Sequence, residues 1–148
     1  MSDGPTDPHR PRVHLTAPRG WLNDPNGFVR WMGRYHLFFQ HHPSRPLWGP
    51  PEWAHVVSDD LVRWRRLPPV LTPSLPPADP EGCWSGSSAL IDARPVVHYT
   101  GVRDGVQATC RAEPLDDDLV AWAKDAANPV AHAPDHEQQD QSEADPGQ

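Results

Sequence analysis

Lysine is almost absent from this 148-residue sequence, in which Lys124 is the only one. The net charge is −7, whereas a surface that binds nucleic acid needs clustered Lys and Arg to neutralise phosphates. No stretch approaches the roughly 20 apolar residues that a membrane span requires. The sequence therefore argues against nucleic-acid and membrane partners and favours a small, polar or neutral ligand.

Cysteine is also scarce, and residues 1–8 lack the features of an export signal. They contain no charged segment followed by an apolar one, which predicts a cytoplasmic location. In that compartment Cys83 and Cys110 are expected to be reduced thiols rather than a disulfide. Proline, with 20 residues, and tryptophan, with 7, are by contrast abundant. The prolines indicate many rigid turns and no long helices.

Short runs rich in aromatic and β-branched residues predict two sets of β-strands. The first set covers residues 27–31, 35–40, 53–58 and 64–67, and the second covers 87–91, 96–100 and 106–111. The string Asp60-Leu61-Val62-Arg63-Trp64, which ends the first set, recurs as Asp118-Leu119-Val120-Ala121-Trp122. Chance recurrence of a common string is the alternative. A repeat of about 40 to 60 residues with about four strands is typical of a β-propeller blade.

The repeat predicts an all-β chain that contains two propeller blades. Closing a propeller takes roughly four to eight blades, so the propeller is expected to be incomplete. We assign residues 1–13 to a flexible lead-in and residues 14–130 to the partial propeller domain. Residues 131–148 are acidic, rich in glutamine and free of large apolar side chains, which predicts a disordered tail.

One string stands directly before the first predicted strand: Trp21-Leu22-Asn23-Asp24-Pro25-Asn26-Gly27. A carboxylate held between conformationally constrained neighbours is fixed in direction, as a nucleophile that attacks a sugar carbon must be. All of its central residues also favour turns, so the string taken alone fits a simple turn as well.

The string resembles the opening motif of glycoside hydrolase family 32, the group of invertases, inulinases and levanases, and departs from it only at Leu22. Four further blocks of the sequence resemble the family in the same order. These are Phe38-Phe39-Gln40-His41-His42-Pro43, Trp48-Gly49 with the following 53–64 segment, Gly82-Cys83-Trp84-Ser85-Gly86-Ser87, and Tyr99-Thr100-Gly101. The resemblance implies the first two blades of a five-bladed β-propeller.

Carried over position by position, the resemblance implies that Asp24 is the catalytic nucleophile. It implies that the substrate-binding residues are Asn23, Gln40, Trp48, Trp84 and Ser85. Amides and hydroxyls suit hydrogen bonding to sugar hydroxyls, and an indole face suits the C–H face of a sugar ring. Core packing between blades is the alternative for Trp48 and Trp84. Three other tryptophans, Trp53, Trp64 and Trp122, are expected in the core.

A retaining glycosidase needs a second carboxyl group as acid/base, and none is identifiable in this chain. The family carries it in a later Glu-Cys motif and has a stabilising aspartate in an Arg-Asp-Pro motif. Arg103-Asp104-Gly105 and Glu81-Gly82-Cys83 match neither motif. No metal or other cofactor is expected, because the family is not metal-dependent and the histidines have no ligand spacing.

These residues lead to the hypothesis of a β-fructofuranosidase-type hydrolase with a substrate such as sucrose or a fructan. The chain by itself is expected to be inactive or nearly so. The alternatives are a module that binds fructosides without turnover and the product of a broken gene.

Overall fold

The computed structural model describes residues 8–9, 15–17, 19–74 and 79–132, and these form two antiparallel β-sheets without any α-helix. Blade 1 contains β1 (Trp21–Trp31), β2 (Arg34–His42), β3 (Glu52–Ser58) and β4 (Arg65–Leu71) in that order. Blade 2 contains β5 (Cys83–Ile91), β6 (Arg94–Arg103), β7 (Val106–Pro114) and β8 (Trp122–Lys124), and a short strand β9 (Ala131–His132) pairs with β7. The prediction of an all-β chain with two blades is confirmed.

The predicted strands fall almost wholly inside observed strands, but β1 and β5 begin earlier than predicted. β1 starts at Trp21 and β5 at Cys83, so the 21–27 block and all of the 82–87 block except Gly82 lie inside strands instead of before them. The turn-forming residues of these blocks are accommodated by bulges, which admit them without ending the strand. The segment predicted as a tail begins with β9, and residues 133–148 lie outside the described residues, as do most of residues 1–13.

The repeated strings have equivalent places in the two blades, because each connects the third strand of its blade to the fourth. Leu61 and Leu119, at the same position of the repeat, both have a positive φ, of 63° and 56°. A left-handed conformation is uncommon for leucine, so its occurrence at both positions indicates one shared loop conformation. The recurrence is therefore a structural repeat.

The main core lies between the two blades. Residues from both blades contribute to it, among them the fully buried Phe38, Trp53, Val97, Tyr99, Cys110 and Leu119. A smaller cluster of Phe39, Ala54 and Val56 occupies the other face of blade 1, where Leu15, Leu37 and Trp64 pack against it. Burial of the main core is the main force that joins the blades.

Both cysteines are free and buried, as expected for reduced thiols. Burial raises the pKa of the Cys83 thiol and that of the Cys110 thiol, so both stay protonated at neutral pH. The sulfur of Cys83 lies 3.6 Å from Asp79, a fully buried carboxylate in the connector between the blades. Asp79 also accepts hydrogen bonds from Lys124 (2.7 Å) and from the hydroxyl of Tyr99 (2.6 Å).

Two buried histidines lie on the face of blade 1 that is turned towards blade 2. His36 and His55 are 0% and 1% exposed, and Nδ1 of the first lies 2.9 Å from Nε2 of the second. Their other ring nitrogens are buried without a hydrogen-bond partner among the described residues.

Among the same residues, no helix is long and apolar enough to span a membrane.

Candidate active site

The first strands of the two blades, β1 and β5, lie side by side, and three hydrogen bonds join them. The Ser85 hydroxyl donates to Asp24 Oδ2 (2.5 Å), the Gly86 amide donates to Asn26 Oδ1 (3.2 Å), and the Ser88 hydroxyl donates to the Phe28 carbonyl (3.2 Å). The partners follow one another along each strand. The predicted nucleophile and the predicted substrate-binding serine are therefore in direct contact.

A β-bulge sets the direction of Asp24. Leu22 pairs with His41 and Pro25 pairs with Phe39, so Asn23 and Asp24 together lie opposite Gln40 alone. Two residues opposite one make a bulge, which bends the strand and turns its side chains. The bulge lets both Asn23 and Asp24 stay exposed at the end of β1 that lies next to β5.

A second bulge, in β5, sets the direction of Ser85. Trp84 pairs with Thr100 and Gly86 pairs with Tyr99, which leaves Ser85 as the extra residue of its strand. The bulge lies tightly against β6, since a Cβ atom at Gly86 would come within 2.0 Å of the His98 carbonyl oxygen. Only glycine fits there. The hydrogen bond between Asp24 and Ser85 thus joins two bulges from two blades.

Trp48 and Trp84 form the apolar part of the site. Their rings meet edge to face at a centroid distance of 6.0 Å, and Trp48 is 57% exposed. The loop that carries Trp48 is held by His42, whose Nδ1 lies 3.2 Å from the Leu47 carbonyl oxygen. A Cβ atom at Gly49 would lie 2.8 Å from the His42 ring, so the loop packs closely on it. An exposed indole held in this way can pack on a ligand.

Gln40 lies behind the bulge and is 6% exposed. It pairs in register with Trp53, whose indole Nε1 donates to the Trp84 carbonyl oxygen (3.0 Å). The predicted residues of both blades are therefore connected through Trp53, a core residue as expected. The pairs Asp24–Ser85 and Trp48–Trp84 are in direct contact, whereas Gln40 and Asn23 are placed near Asp24 by strand register.

A cavity lies away from this group. A cavity of about 300 Å³ occupies the opposite end of the β1–β2 hairpin and is lined by Arg34, Val57, Ser58, Asp59, Arg63, Trp64 and Arg65. It includes none of the predicted site residues. Within residues 8–9, 15–17, 19–74 and 79–132, no group of three or more His, Cys, Asp or Glu side chains is placed to hold a metal ion.

Asn26 also belongs to the site, although the sequence assigned no role to it. It is 3% exposed and forms the middle of the three bonds between β1 and β5. Its membership of the 21–27 string was visible in the sequence. The partner, the amide of Gly86, was not, because strand pairing between blades leaves no local pattern in the sequence.

Comparison with protein families identifies the chain. The model for the glycosyl hydrolases family 32 N-terminal domain matches residues 14–147. The chain belongs to glycoside hydrolase family 32. The family predicted from the five blocks is thereby confirmed.

Curated family 32 relatives include β-fructofuranosidases of plants. The insoluble isoenzyme CWINV1 of Arabidopsis thaliana is 41% identical over 133 residues, which are 86% of this chain and 22% of that enzyme. The cell wall isozyme of Pisum sativum is 40% identical over 83% of this chain and 23% of its own length. The family 32 chain thus spans about a fifth of the length of these relatives.

Solved structures of the family share the two blades. Fructan 1-exohydrolase IIa from Cichorium intybus matches with a TM-score of 0.81 and 37% identity, over 86% of this chain and 25% of that one. A variant of the same enzyme has been solved in complex with 1-kestose. These matches confirm that the two sheets are blades of the family's N-terminal domain.

The predicted cytoplasmic location is wrong, because these relatives are named as insoluble and cell-wall enzymes. The prediction depended on residues 1–8 alone. An export signal is a local segment that the folded domain does not need. This chain matches only about a fifth of the length of its relatives. Its first residues therefore carry no information on where the whole protein resides.

Proposed function

We propose that this family 32 chain contributes the nucleophile side of a β-fructofuranosidase-type active site, with Asp24 as the nucleophile. The observation that carries the proposal is the contact between Asp24 and Ser85 at paired bulges of two blades, beside the exposed Trp48. The named activities of the relatives support the same reaction class.

In the proposed reaction a carboxylate oxygen of Asp24 attacks the anomeric carbon of a terminal β-fructofuranosyl group. The bond from that carbon to the leaving oxygen breaks, and an acid protonates the leaving group. Water then cleaves the fructosyl ester of Asp24 and restores the carboxylate. The Ser85 hydroxyl donates to Oδ2, which keeps the carboxylate in one orientation during the attack.

The remaining site residues have proposed roles in holding the sugar. Asn23, Gln40 and Ser85 suit hydrogen bonds to fructosyl hydroxyls. The Trp48 indole, exposed and held at right angles to Trp84, suits the C–H face of a sugar ring. Sucrose and fructans are the proposed substrates. One relative is named a fructan 1-exohydrolase, and a variant of it has been solved in complex with 1-kestose.

The acid/base group has no counterpart in this sequence, which contains no Glu-Cys and no Arg-Asp-Pro motif. Retaining glycosidases need that second carboxyl about 5–5.5 Å from the nucleophile, and loss of general acid catalysis costs about 10²–10⁴ in rate. We therefore expect the 148-residue chain alone to release almost no glucose from sucrose. Release at the rate of an ordinary enzyme would contradict this expectation.

A chimeric enzyme tests the role of Asp24 directly. In the Arabidopsis relative, the segment that matches this chain is replaced by residues 14–132, and glucose release from sucrose is measured. We expect activity in the chimera and a loss of more than about 10³-fold in kcat for Asp24→Asn, because removing a nucleophile stops the covalent step.

The matched control for this chimera is Asp59→Asn, which alters an exposed aspartate at the far end of blade 1 and should leave kcat unchanged. A chimera whose activity survives Asp24→Asn would overturn the assignment. If the 148-residue chain binds fructose and the chimera is folded but inactive, the module that binds fructosides without turnover becomes the better description.

A further inference from the structure

The side chain of Asn26 is only partly hydrogen-bonded, which costs folding free energy. Its Oδ1 accepts a hydrogen bond from the Gly86 amide, and because an N–H group can only donate, the carbonyl oxygen of the side chain must face Gly86. The other half of the side chain, Nδ2, is buried without a hydrogen-bond partner among the described residues. An unpaired buried amide opposes folding. An apolar side chain of similar size would avoid that cost, but it would leave the Gly86 amide without this acceptor. The hydrogen bond to Gly86 is therefore what asparagine supplies here.

The partner of Asn26 does offer an explanation. Gly86 directly follows Ser85, the extra residue of the β5 bulge, and Ser85 in turn donates to Asp24. On the other strand, Asn26 follows Asp24 by two positions. The hydrogen bond from Gly86 to Asn26 therefore lies immediately beside the hydrogen bond from Ser85 to Asp24.

We propose that Asn26 is a positioning residue that holds the Ser85 bulge of blade 2 against Asp24 of blade 1. This proposal rests on the proposed role of Asp24 as nucleophile. A bulge residue is unpaired in its own sheet, so its direction depends on what fixes the adjacent backbone. On one side that backbone lies against β6, where Gly86 meets the His98 carbonyl. On the other side Asn26 fixes it to β1.

The neighbouring bond from Ser88 to the Phe28 carbonyl supplies a matched control. It joins the same two strands over the same distance of 3.2 Å, but it involves neither bulge residue of the site. If Asn26 acted only as one of several bonds between the blades, removing either bond would have the same effect on Asp24.

The test uses the full 148-residue chain and the carboxyl carbon resonance of Asp24 in ¹³C NMR, which responds to the hydrogen bond from Ser85. We expect Ser85→Ala to shift this resonance, Asn26→Ala to shift it in the same direction, and Ser88→Ala to leave it in place. The double variant Asn26→Ala/Ser85→Ala should shift it no further than Ser85→Ala. Such non-additivity is expected when one residue acts through the other.

The positioning role is overturned if Asn26→Ala leaves the Asp24 resonance where Ser88→Ala leaves it. It is also overturned if the shifts of Asn26→Ala and Ser85→Ala add fully in the double variant. Should Asn26→Ala not fold, Asn26→Ser gives the same comparison, because its shorter side chain does not span the distance to the Gly86 amide.

Fructose titration of the same variants separates this proposal from the proposed function. We expect Asn26→Ala and Ser85→Ala each to weaken fructose binding about fivefold to tenfold, and Ser88→Ala to change it less than twofold. A wild-type chain that does not bind fructose, but whose Asp24 resonance responds as expected, would count against the fructoside site and in favour of Asn26 as a positioning residue. Normal fructose binding by Asn26→Ala with an unshifted Asp24 resonance would support the fructoside site and count against Asn26 as a positioning residue.

Discussion

Blade 1 and blade 2 have five-residue strings between their third and fourth strands that differ only at Arg63 and Ala121, yet the strings make different contacts in each blade. In blade 1, Asp60 accepts hydrogen bonds from the amides of Val62 (2.9 Å) and Arg63 (2.7 Å). In blade 2 the corresponding amide of Val120 donates to Asp116 instead (3.0 Å). Bonds from these amides hold the pKa of exposed Asp60 at about 2 and also lower the pKa of Asp116.

The exchange of acceptors leaves Asp118, the counterpart of Asp60, available for another partner. It forms an ion pair with Arg34 of blade 1 (2.5 Å). The tryptophans differ likewise. Trp64 packs on the face of blade 1 that is turned away from blade 2, while Trp122 packs between the blades with its ring edge-on to Phe38 at 5.7 Å. The repeated string has the same backbone conformation in both loops, whereas the neighbouring blade determines which contacts its side chains make.

The largest expected effect concerns a buried ion pair that ties blade 2 to the connector. Burial by itself would raise the pKa of Asp79. Hydrogen bonds from Lys124 and Tyr99, together with the Lys124 charge, outweigh burial, so the net pKa lies below its usual value. Lys124→Met would leave the Asp79 carboxylate buried without a cation, which should lower the free energy of unfolding by about 3–5 kcal/mol. Urea unfolding followed by tryptophan fluorescence measures this loss.

The control for this variant removes both charges. Asp79→Asn/Lys124→Met should be more stable than Lys124→Met, because no unpaired charge remains. Equal stability of the double and single variants would show that Lys124 acts through packing and not through its charge.

The next effect distinguishes blade 1, whose core contains the buried imidazoles of His36 and His55. Burial is the largest cause that lowers the pKa of each, to about 4 and about 3. Arg34 and Arg65 act in the same direction on His36, and His36 and Arg65 do so on His55. The unfolded chain therefore binds more protons than the folded chain below about pH 6.5. Stability should be fully present above that pH and should fall as the pH drops towards 4.

Urea midpoints measured between pH 7 and pH 4 check this dependence. Replacing both histidines by His36→Phe and His55→Leu should flatten it. Replacing the half-buried His98 of blade 2 by His98→Asn should not. An unchanged pH dependence in the variant without His36 and His55 would contradict the assignment to blade 1.

The smallest effect compares the two leucines with positive φ. Leu119 is fully buried and Leu61 is 47% exposed. Glycine relieves the left-handed strain at both positions. Leu119→Gly also removes a buried side chain and should therefore destabilise the chain by about 2 kcal/mol, whereas Leu61→Gly should be neutral or stabilising by up to about 1 kcal/mol. Thermal unfolding of the two variants side by side measures the difference, and equal effects would mean that the loops do not differ as described.

Much of the fold followed from local patterns. Strands rich in β-branched and aromatic residues were predicted well: 53–58 lies within one residue of both ends of its strand, and 96–100 lies within two to three residues. The starts of β1 and β5 were missed, since Asn, Asp, Pro and Ser read as turn residues unless a partner strand is known. The predicted site residues were found together, although their roles in binding and catalysis stay predictions.

The sequence could not provide the contacts between residues that are far apart in the chain. The register that leaves Asn23 and Asp24 opposite Gln40, the pairing of Asn26 with Gly86 and the burial of Asp79 by Lys124 all join residues far apart in the chain. Such pairs have no fixed spacing, so no periodicity reveals them.

The sequence by itself determined the family, the blade repeat and the identity of Asp24 as the candidate nucleophile, because each depends on residue types at short, regular spacings. Only the tertiary structure decided that Asp24 meets Ser85 and that Asn26 joins the two bulges. It also decided that the leucine of the repeated string is exposed in blade 1 and buried in blade 2. Packing of one sheet on another selects among side-chain directions that the local sequence leaves open.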